Sequence, residues 1–335
     1  MRLGLTGAAA AALLAAACGG STAAQPSPAP TPSFETQTQS PSPSASPSPE
    51  PFQRAEPSLP APIEETAAAA AGGRLYVMGG FNAAGASLST VYVFDGTGWT
   101  AGPRLPLPLD HAAATGLDDR VYIAGGHSNG ADSARLFRLD GDRWTALGSM
   151  HFARGGHALV AVSGKLYAVG GNTSRGNVPA IESYDPATNG WTVVGSLPQP
   201  RNHVMGFPIG AAVCVAGGRT PTAARVDCFD VAQRSLFRLG NLPVATSGGG
   251  AVTFPSGEAI VVGGEDATEG RLINQVALYS TGGSWRAGQK MLAPRHGFEL
   301  ALFNGRAWAC GGGSAPGLHP VATCTSLGDP SAPQG

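Results

Sequence analysis

Three times along this chain an arginine and a histidine stand close together: Arg154 with His157, Arg201 with His203, and Arg295 with His296. Guanidinium groups offer planar, bidentate donors suited to carboxylates, and imidazoles exchange protons near neutral pH. The chemistry open to such a set is recognition of an acid, with proton transfer beside it. Of the 21 basic residues all but Lys165 and Lys290 are arginine, so guanidinium is the chain's main cationic group. The competing interpretation is structural: the histidines serve packing or turns, and the arginines serve solubility. No pair of carboxylates with a defined separation can be read from the sequence, so a hydrolase lacks its residues and no catalytic residue is assigned.

Two short motifs also invite chemistry. Gly126-His127-Ser128-Asn129-Gly130 matches G-x-S-x-G, but that motif acts only on a sharp turn from strand to helix. Here it follows a short β-like run and precedes no helix, which makes it a loop. Asp140-Gly141-Asp142 reads as a hairpin turn, because the other ligands of a calcium loop are missing.

The elements that must position these residues repeat. Gly-Gly doublets fall at 79–80, 125–126, 170–171, 217–218, 263–264 and 311–312, at spacings of 46, 45, 47, 46 and 48. Each doublet ends an apolar run such as RLYVMGG or KLYAVGG. A second run follows, as in VYVFD (91–95) and IESYD (181–185), and then Trp99, Trp144, Trp191 or Trp285, with Phe237 in the fourth unit. Every unit thus holds four runs of strand length separated by Gly, Pro, Asn and Asp turns. A lone four-stranded sheet exposes two faces, so such units must stack, and a period near 46 fits radial closure. The last unit lacks a fourth run, while FQRAEPSLP (52–60) resembles the end of one. Residues 51–58 are therefore predicted to supply the outer strand of the sixth unit.

Cys214 and Cys228, and Cys310 and Cys324, are each separated by 14 residues, one on the run that ends in the doublet and one on the next run. Their recurrence predicts two disulfides in an oxidising compartment, against the alternative of four small buried thiols. No C-x-x-C spacing supports zinc, and no metal is assigned.

The doublets, the spaced tryptophans and YDPATNGW (184–191) resemble the kelch family of β-propellers over residues 51–328. The resemblance implies an all-β, six-bladed propeller with four antiparallel strands per blade, closed by the N-terminal outer strand. In such blades the loops between strands 2 and 3, and those leading from strand 4 to the next blade, emerge on one face. Reading those loops gathers the three Arg–His pairs with His111, His127, Asn172, Arg175, Arg219, Glu265, Asp266 and Arg271. The binding candidates are Arg154, His157, Arg175, Arg201, His203, Arg219, Arg295 and His296. Copper oxidases of the galactose oxidase type share the architecture, but the tyrosines at 76, 92, 122, 167, 184 and 279 all sit at repeat positions, and no cofactor is expected.

The N-terminus gives an address. Residues 1–17 carry Arg2, an apolar stretch and small residues before Cys18, as an export signal does. Ala15-Ala16-Ala17-Cys18 resembles a bacterial lipoprotein signal, which implies lipidation of Cys18; the alternative is an ordinary cleaved signal. Residues 21–50 hold eight Pro and eight Ser, too polar to offset chain entropy, so 18–50 is expected to be a disordered tether and 329–335 a disordered tail. A net charge of −1 with no basic block excludes a nucleic-acid partner, and the membrane is reached only through the lipid. The expected function is that of a monomeric binding module for a protein or an acidic carbohydrate. One alternative, from similarity to periplasmic sialate mutarotase-epimerases, has Arg201 or Arg295 holding a carboxylate; another is a structural envelope protein without a ligand.

Overall fold

The computed structural model describes residues 51–332 together with Ala24 and Ser27. The expected signal, Cys18 and the rest of the tether lie outside the described residues, as do residues 333–335. Of the expected tail, residues 329–332 make a turn in which the Asp329 carboxylate accepts from the Ser331 amide and hydroxyl.

All regular structure in this range is β, and the strands form six separate antiparallel sheets, five of them ordered from inside to outside as in the chain, with the two-residue strands Ala131–Asp132 and Gly176–Asn177 appended to the second and third. Blade 1 is Ala67–Ala71, Arg74–Met78, Val91–Phe94 and Trp99–Ala101; blade 2 is Asp110–Leu117, Arg120–Ser128, Leu136–Asp140 and Arg143–Ala146. Blade 3 is Gly155–Val162, Lys165–Thr173, Ala180–Asp185 and Gly190–Ser196; blade 4 is Met205–Ile209, Ala212–Ala216, Arg225–Asp230 and Ser235–Asn241. Blade 5 is Gly250–Thr253, Ala259–Val262, Val276–Tyr279 and Trp285–Ala287. Blade 6 takes three strands from the C-terminal end, Leu300–Phe303, Arg306–Cys310 and Cys324–Leu327, and its outer strand from Gln53–Glu56.

Strand alternation explains the core. Side chains on successive residues point to opposite sheet faces, and each blade is apolar on both. Ala67, Ala69, Tyr76 and Met78 of blade 1 pack on blade 2, whereas Ala68, Leu75 and Val77 pack on blade 6. Each apolar cluster in the molecule lies between two adjacent blades, so stability resides in the contacts between neighbours.

The doublets make the same contact in backbone form. The second glycine of every doublet donates its N–H to a carbonyl at the entrance of the next blade: Gly80 to Leu109, Gly126 to Arg154, Gly171 to Arg201, Gly218 to Thr246, Gly264 to Arg295, and Gly312 back to Ile63, at 2.7–3.0 Å. A Cβ on the first glycine would collide with that same carbonyl in all six cases, and both glycines hold positive φ. The tryptophans tie the outer strands: Trp99, Trp144, Trp191 and Trp285 donate their indole N–H to the carbonyls of Pro57, Pro103, Gly148 and Leu239, at 2.8–3.0 Å.

Closure follows the predicted pattern. Gln53–Glu56 pairs with Cys324–Leu327, Phe52 is buried against blades 5 and 6, and Arg306 donates to the carbonyls of Pro51 and Phe52. Both disulfides are present. Cys214–Cys228 and Cys310–Cys324 join residues directly opposite each other on the second and third strands of blades 4 and 6. Loops this short correspond to ~3 kcal/mol each in the chain-entropy account.

Candidate functional site

At the entrance of each inner strand one residue faces the propeller axis with a left-handed backbone: Glu65, His111, Gly156, His203, Gly248 and Gly297, with φ between 51° and 70°. Their amides link blade to blade; His203 donates to Gly156, Gly248 to His203, Gly297 to Gly248, and His111 to Glu65. Glycine occupies three of the six positions at no steric cost, while Glu65, His111 and His203 are held there against it.

These three side chains meet on the axis. Glu65 Oε2 lies 3.4 Å from His111 Nε2, and the His111 and His203 rings stand 5.0 Å apart. The residue before each histidine fixes its ring: Asp110 Oδ1 is 2.7 Å from His111 Nδ1, and Asn202 Oδ1 is 2.5 Å from His203 Nδ1. His296 reaches the axis from the preceding position of blade 6, with Nε2 3.1 Å from Glu64 Oε1 and Nδ1 3.6 Å from Glu265 Oε2. Arg219 donates Nη2 to His203 Nε2 at 2.8 Å, and its Nη1 lies 3.3 Å from Glu265 and 2.8 Å from Glu269.

Burial governs the protonation of this ring. It pushes the Glu64 carboxyl up to about 7 despite the opposing His296, and it raises Glu265 against the pull of His296 and Arg219. Burial disfavours the His111 cation, yet Glu65 and Asp110 beside it more than compensate and raise its value. His203 is held well below the ordinary histidine range by burial, with His111 and Arg219 adding to it, so it is a neutral acceptor.

Deeper in the channel, Glu299 accepts from the amides of Ala68 and Ala114 at 2.9 and 3.1 Å, and burial raises its carboxyl to about 8. Beyond it the channel opens into a cavity of about 270 Å³ lined by small inner-strand residues such as Ala68, Gly206 and Ala251. A carboxyl protonated in the fold and ionised in the unfolded chain costs stability as pH rises. The loss begins near the ordinary value of 4.5 and is complete above about 8. Glu299→Gln keeps an acceptor without the charge. It is expected to gain on the wild type by ~2 kcal/mol between pH 5 and 9, half of what a shift of this size corresponds to at ~1.4 kcal/mol per unit. Chemical denaturation at the two pH values checks this; parallel pH dependences would contradict it.

The structure separates the candidates named from sequence. Arg154, Arg201 and Arg295 are turned inward: each is at most 1% exposed and reaches back into its own blade. They donate to the carbonyls of Gly170, Gly217 and Gly311, the first glycine of the doublet 16 residues on in each case. Arg154 also pairs with Glu182 at 2.7 Å and Arg201 with Asp227 at 2.8 Å. Arg295 bonds the carbonyl and hydroxyl of Thr323 instead, and burial lowers its value to about 10. His157 is buried, with neither ring nitrogen hydrogen-bonded, and lines the axial cavity. His203, His296 and Arg219 belong to the axial ring.

Arg175 is exposed on the rim, at a cavity of about 320 Å³ shared with His151, Phe152 and Asn177. His127 pairs with Asp132 at 3.0 Å, and Arg271 with Asp266 at 3.3 Å in an exposed turn. Ser128 lies at a strand end that turns into the short ribbon Ala131–Asp132, with no nucleophile elbow. Glu64 and Glu65 escaped the sequence reading; the visible signal was their position 15 and 14 residues before Gly79, level with Asp110-His111 before Gly125.

Six radially stacked four-stranded sheets around an axial ring define a six-bladed β-propeller. The family model described as the KLHDC2/KLHL20/DRC7 Kelch-repeats domain matches residues 51–218, and the chain belongs to the kelch-repeat family. It is 34% identical to alpha-scruin of Limulus polyphemus over 103 residues, 28% of this chain and 11% of that protein. It is 26% identical to Kelch-like protein 35 of Mus musculus over 190 residues, 56% of this chain and 32% of that protein. The matches therefore span a third or less of these relatives. The solved structure titled "Structure of YjhT" superposes with a TM-score of 0.70, covering 82% of this chain and 97% of that one at 18% identity, which shows a shared fold.

Proposed function

We propose that this chain is an exported kelch propeller, anchored through lipidated Cys18, that docks a protein partner on the face bearing the axial ring. The observation that carries this reading is the placement of exposed apolar side chains. Phe152, Val244, Leu292 and Leu318 are 40–59% exposed, and all four sit on loops of that face. Together they surround a polar, half-buried centre, and exposed apolar side chains gathered on one face mark a surface for a protein partner. Kelch relatives such as Kelch-like protein 35 are consistent with a protein partner.

Charge and size argue against an acidic sugar. The two guanidiniums that reading relied on, Arg201 and Arg295, are sealed inside blades, and Arg219 already lies between Glu265 and Glu269. At the axial ring the cavity is about 40 Å³, far short of the ~300 Å³ of a typical small-molecule site; a cavity of that size, about 320 Å³, lies on the rim with Arg175 as its guanidinium. Carboxylates outnumber free guanidiniums at the centre, which favours a partner that presents a basic or hydroxyl-bearing tip there. Two disulfides support an oxidising, extracytoplasmic setting, and the division into signal (1–17), tether (18–50) and propeller (51–328) supplies the route to it.

The test is photo-crosslinking in the native cell from probes at positions 152, 244, 292 and 318, with Leu236 and Phe237 on the outer strand of blade 4 as controls. A discrete adduct from the face positions, in a membrane fraction that Cys18→Ser empties, is the expected result. Adducts from the blade 4 controls alone would overturn the docking face, and an unchanged distribution of Cys18→Ser would overturn the anchor.

A further inference from the structure

We propose that Glu65, His111 and His203 form a binding site for one divalent transition-metal ion of the zinc class, on the propeller axis.

The first argument is convergence. One donor atom from each of the three residues lies within 4.8 Å of the other two. The separation of Glu65 Oε2 from His111 Nε2 is 3.4 Å. That is long for a charge-assisted hydrogen bond, at about 2.7–2.9 Å, and matches the edge of a tetrahedron whose metal–ligand bonds are about 2.0–2.1 Å.

The second is tautomer control. Asp110 and Asn202 engage the Nδ1 atoms of His111 and His203, which leaves both Nε2 atoms directed at the axis. A carboxylate or amide behind the imidazole is the usual support of a metal-bound histidine, fixing its ring and raising its basicity. Both histidines achieve this with the residue just before them, in equivalent places on blades 2 and 4.

The third is strain. The three non-glycine residues of the axial ring, where the other three blades use glycine, are the same three whose donors meet. Left-handed backbone at bulky residues is retained where the surroundings over-determine it, which is characteristic of ligand sites.

Independent of the cluster, two residues that line the same cavity carry buried polar side chains without a partner among the described residues. Thr66 Oγ1, on a residue 3% exposed, and both ring nitrogens of His157, on a residue 4% exposed, have no hydrogen bond. A cavity of about 40 Å³ has room for an ion with a water molecule, and that water would find an unpartnered group in Thr66 Oγ1 or in one ring nitrogen of His157. Two imidazoles with one carboxylate select transition metals over calcium or magnesium.

Arg219 is the internal competitor. Its Nη2 donates to His203 Nε2, the atom the metal needs, and its salt bridge to the half-exposed Glu269 gives it a place to withdraw to. Metal binding and the Arg219–His203 bond are mutually exclusive.

The experiment titrates zinc, and cobalt(II) as a spectroscopic probe, into the chelator-treated full chain. One equivalent is expected, with the visible absorption of tetrahedral cobalt and a rise in melting temperature. His111→Gly and His203→Gly adopt the residue that other blades carry at this position, so they retain the fold while weakening binding at least 100-fold. Asp110→Asn weakens it about 10-fold through the orientation of His111, whereas Arg219→Ala tightens it. Absence of binding at micromolar zinc, or binding that both glycine variants leave intact, would overturn the site.

Discussion

A chain lacking residues 51–58 is expected to lose cooperative folding, although those residues are only one strand of 26. In a ring each blade is stabilised by its neighbours, and blade 6 alone is assembled from both ends of the domain. Removing Gln53–Glu56 exposes the edge of Cys324–Leu327 and uncovers the pocket that Phe52 fills between blades 5 and 6. It also removes the Pro51 and Phe52 carbonyls from Arg306, a guanidinium 8% exposed. The Phe52 cavity costs ~3–5 kcal/mol, and withdrawal of acceptors from a buried cation adds ~2 kcal/mol. The sum approaches the ~5–15 kcal/mol that holds a domain folded. The point variant Phe52→Ala carries the first part alone, with a lowered denaturation midpoint and an unchanged slope. Urea denaturation of both proteins is the check; a truncated chain with a wild-type midpoint would show that the ring does not depend on its closing strand.

That closing strand was legible because it obeys a repeat: a unit short of its fourth run must borrow one. The blade count, the strand order and both disulfides were readable for the same reason, since each is fixed by register within a period of about 46 residues. The axial site was legible only in part. Its donors come from blades 1, 2 and 4, so Glu65, His111 and His203 lie 46 and 92 residues apart, and no local metal-ligand spacing announces them. What unites them is the level at which each enters its inner strand, and that level is apparent only when the units are aligned on their doublets.

The arginines show the opposite failure. Arg154, Arg201 and Arg295 are conspicuous by type and repetition, and the loops that carry them do emerge on the face that bears the axial ring. Residue type did not decide direction. At their level the backbone of the second strand bends through the glycine doublet, and its carbonyls point back toward the blade entrance. A long side chain with five donors can satisfy several such groups at once, as Arg154 does with Gly170, Ala180 and Glu182. Blade 5 solves the same problem with Thr246, whose hydroxyl donates to the carbonyl of Gly263 at 2.7 Å. Repetition of the donor at the first glycine's carbonyl, rather than of arginine itself, marks this role as structural.

Arg154→Ala is accordingly expected to destabilise the propeller by ~3–5 kcal/mol, the cost of stranding a buried charge. Glu182 is wholly buried, and although it also accepts from the amides of His151 and Phe152, its only guanidinium contact among the described residues is Arg154. Three carbonyls, those of Phe152, Gly170 and Ala180, lose a donor in the same variant. The double variant Arg154→Met with Glu182→Gln removes both charges, fills the volume and keeps an acceptor for the two amides, so it is expected to recover most of the loss. Arg295→Ala separates the contributions, because Arg295 bonds carbonyls and a hydroxyl without a carboxylate. It should cost less than Arg154→Ala and gain nothing from a second-site change. Denaturation midpoints of the four proteins provide the comparison. If Arg154→Ala were as stable as the wild type and instead weakened partner crosslinking from position 152, the guanidinium would belong to the docking face and not to the blade. The burial of Arg154, with four of its bonds directed into blade 3 or the turn before it, sets the expectation firmly on the side of stability.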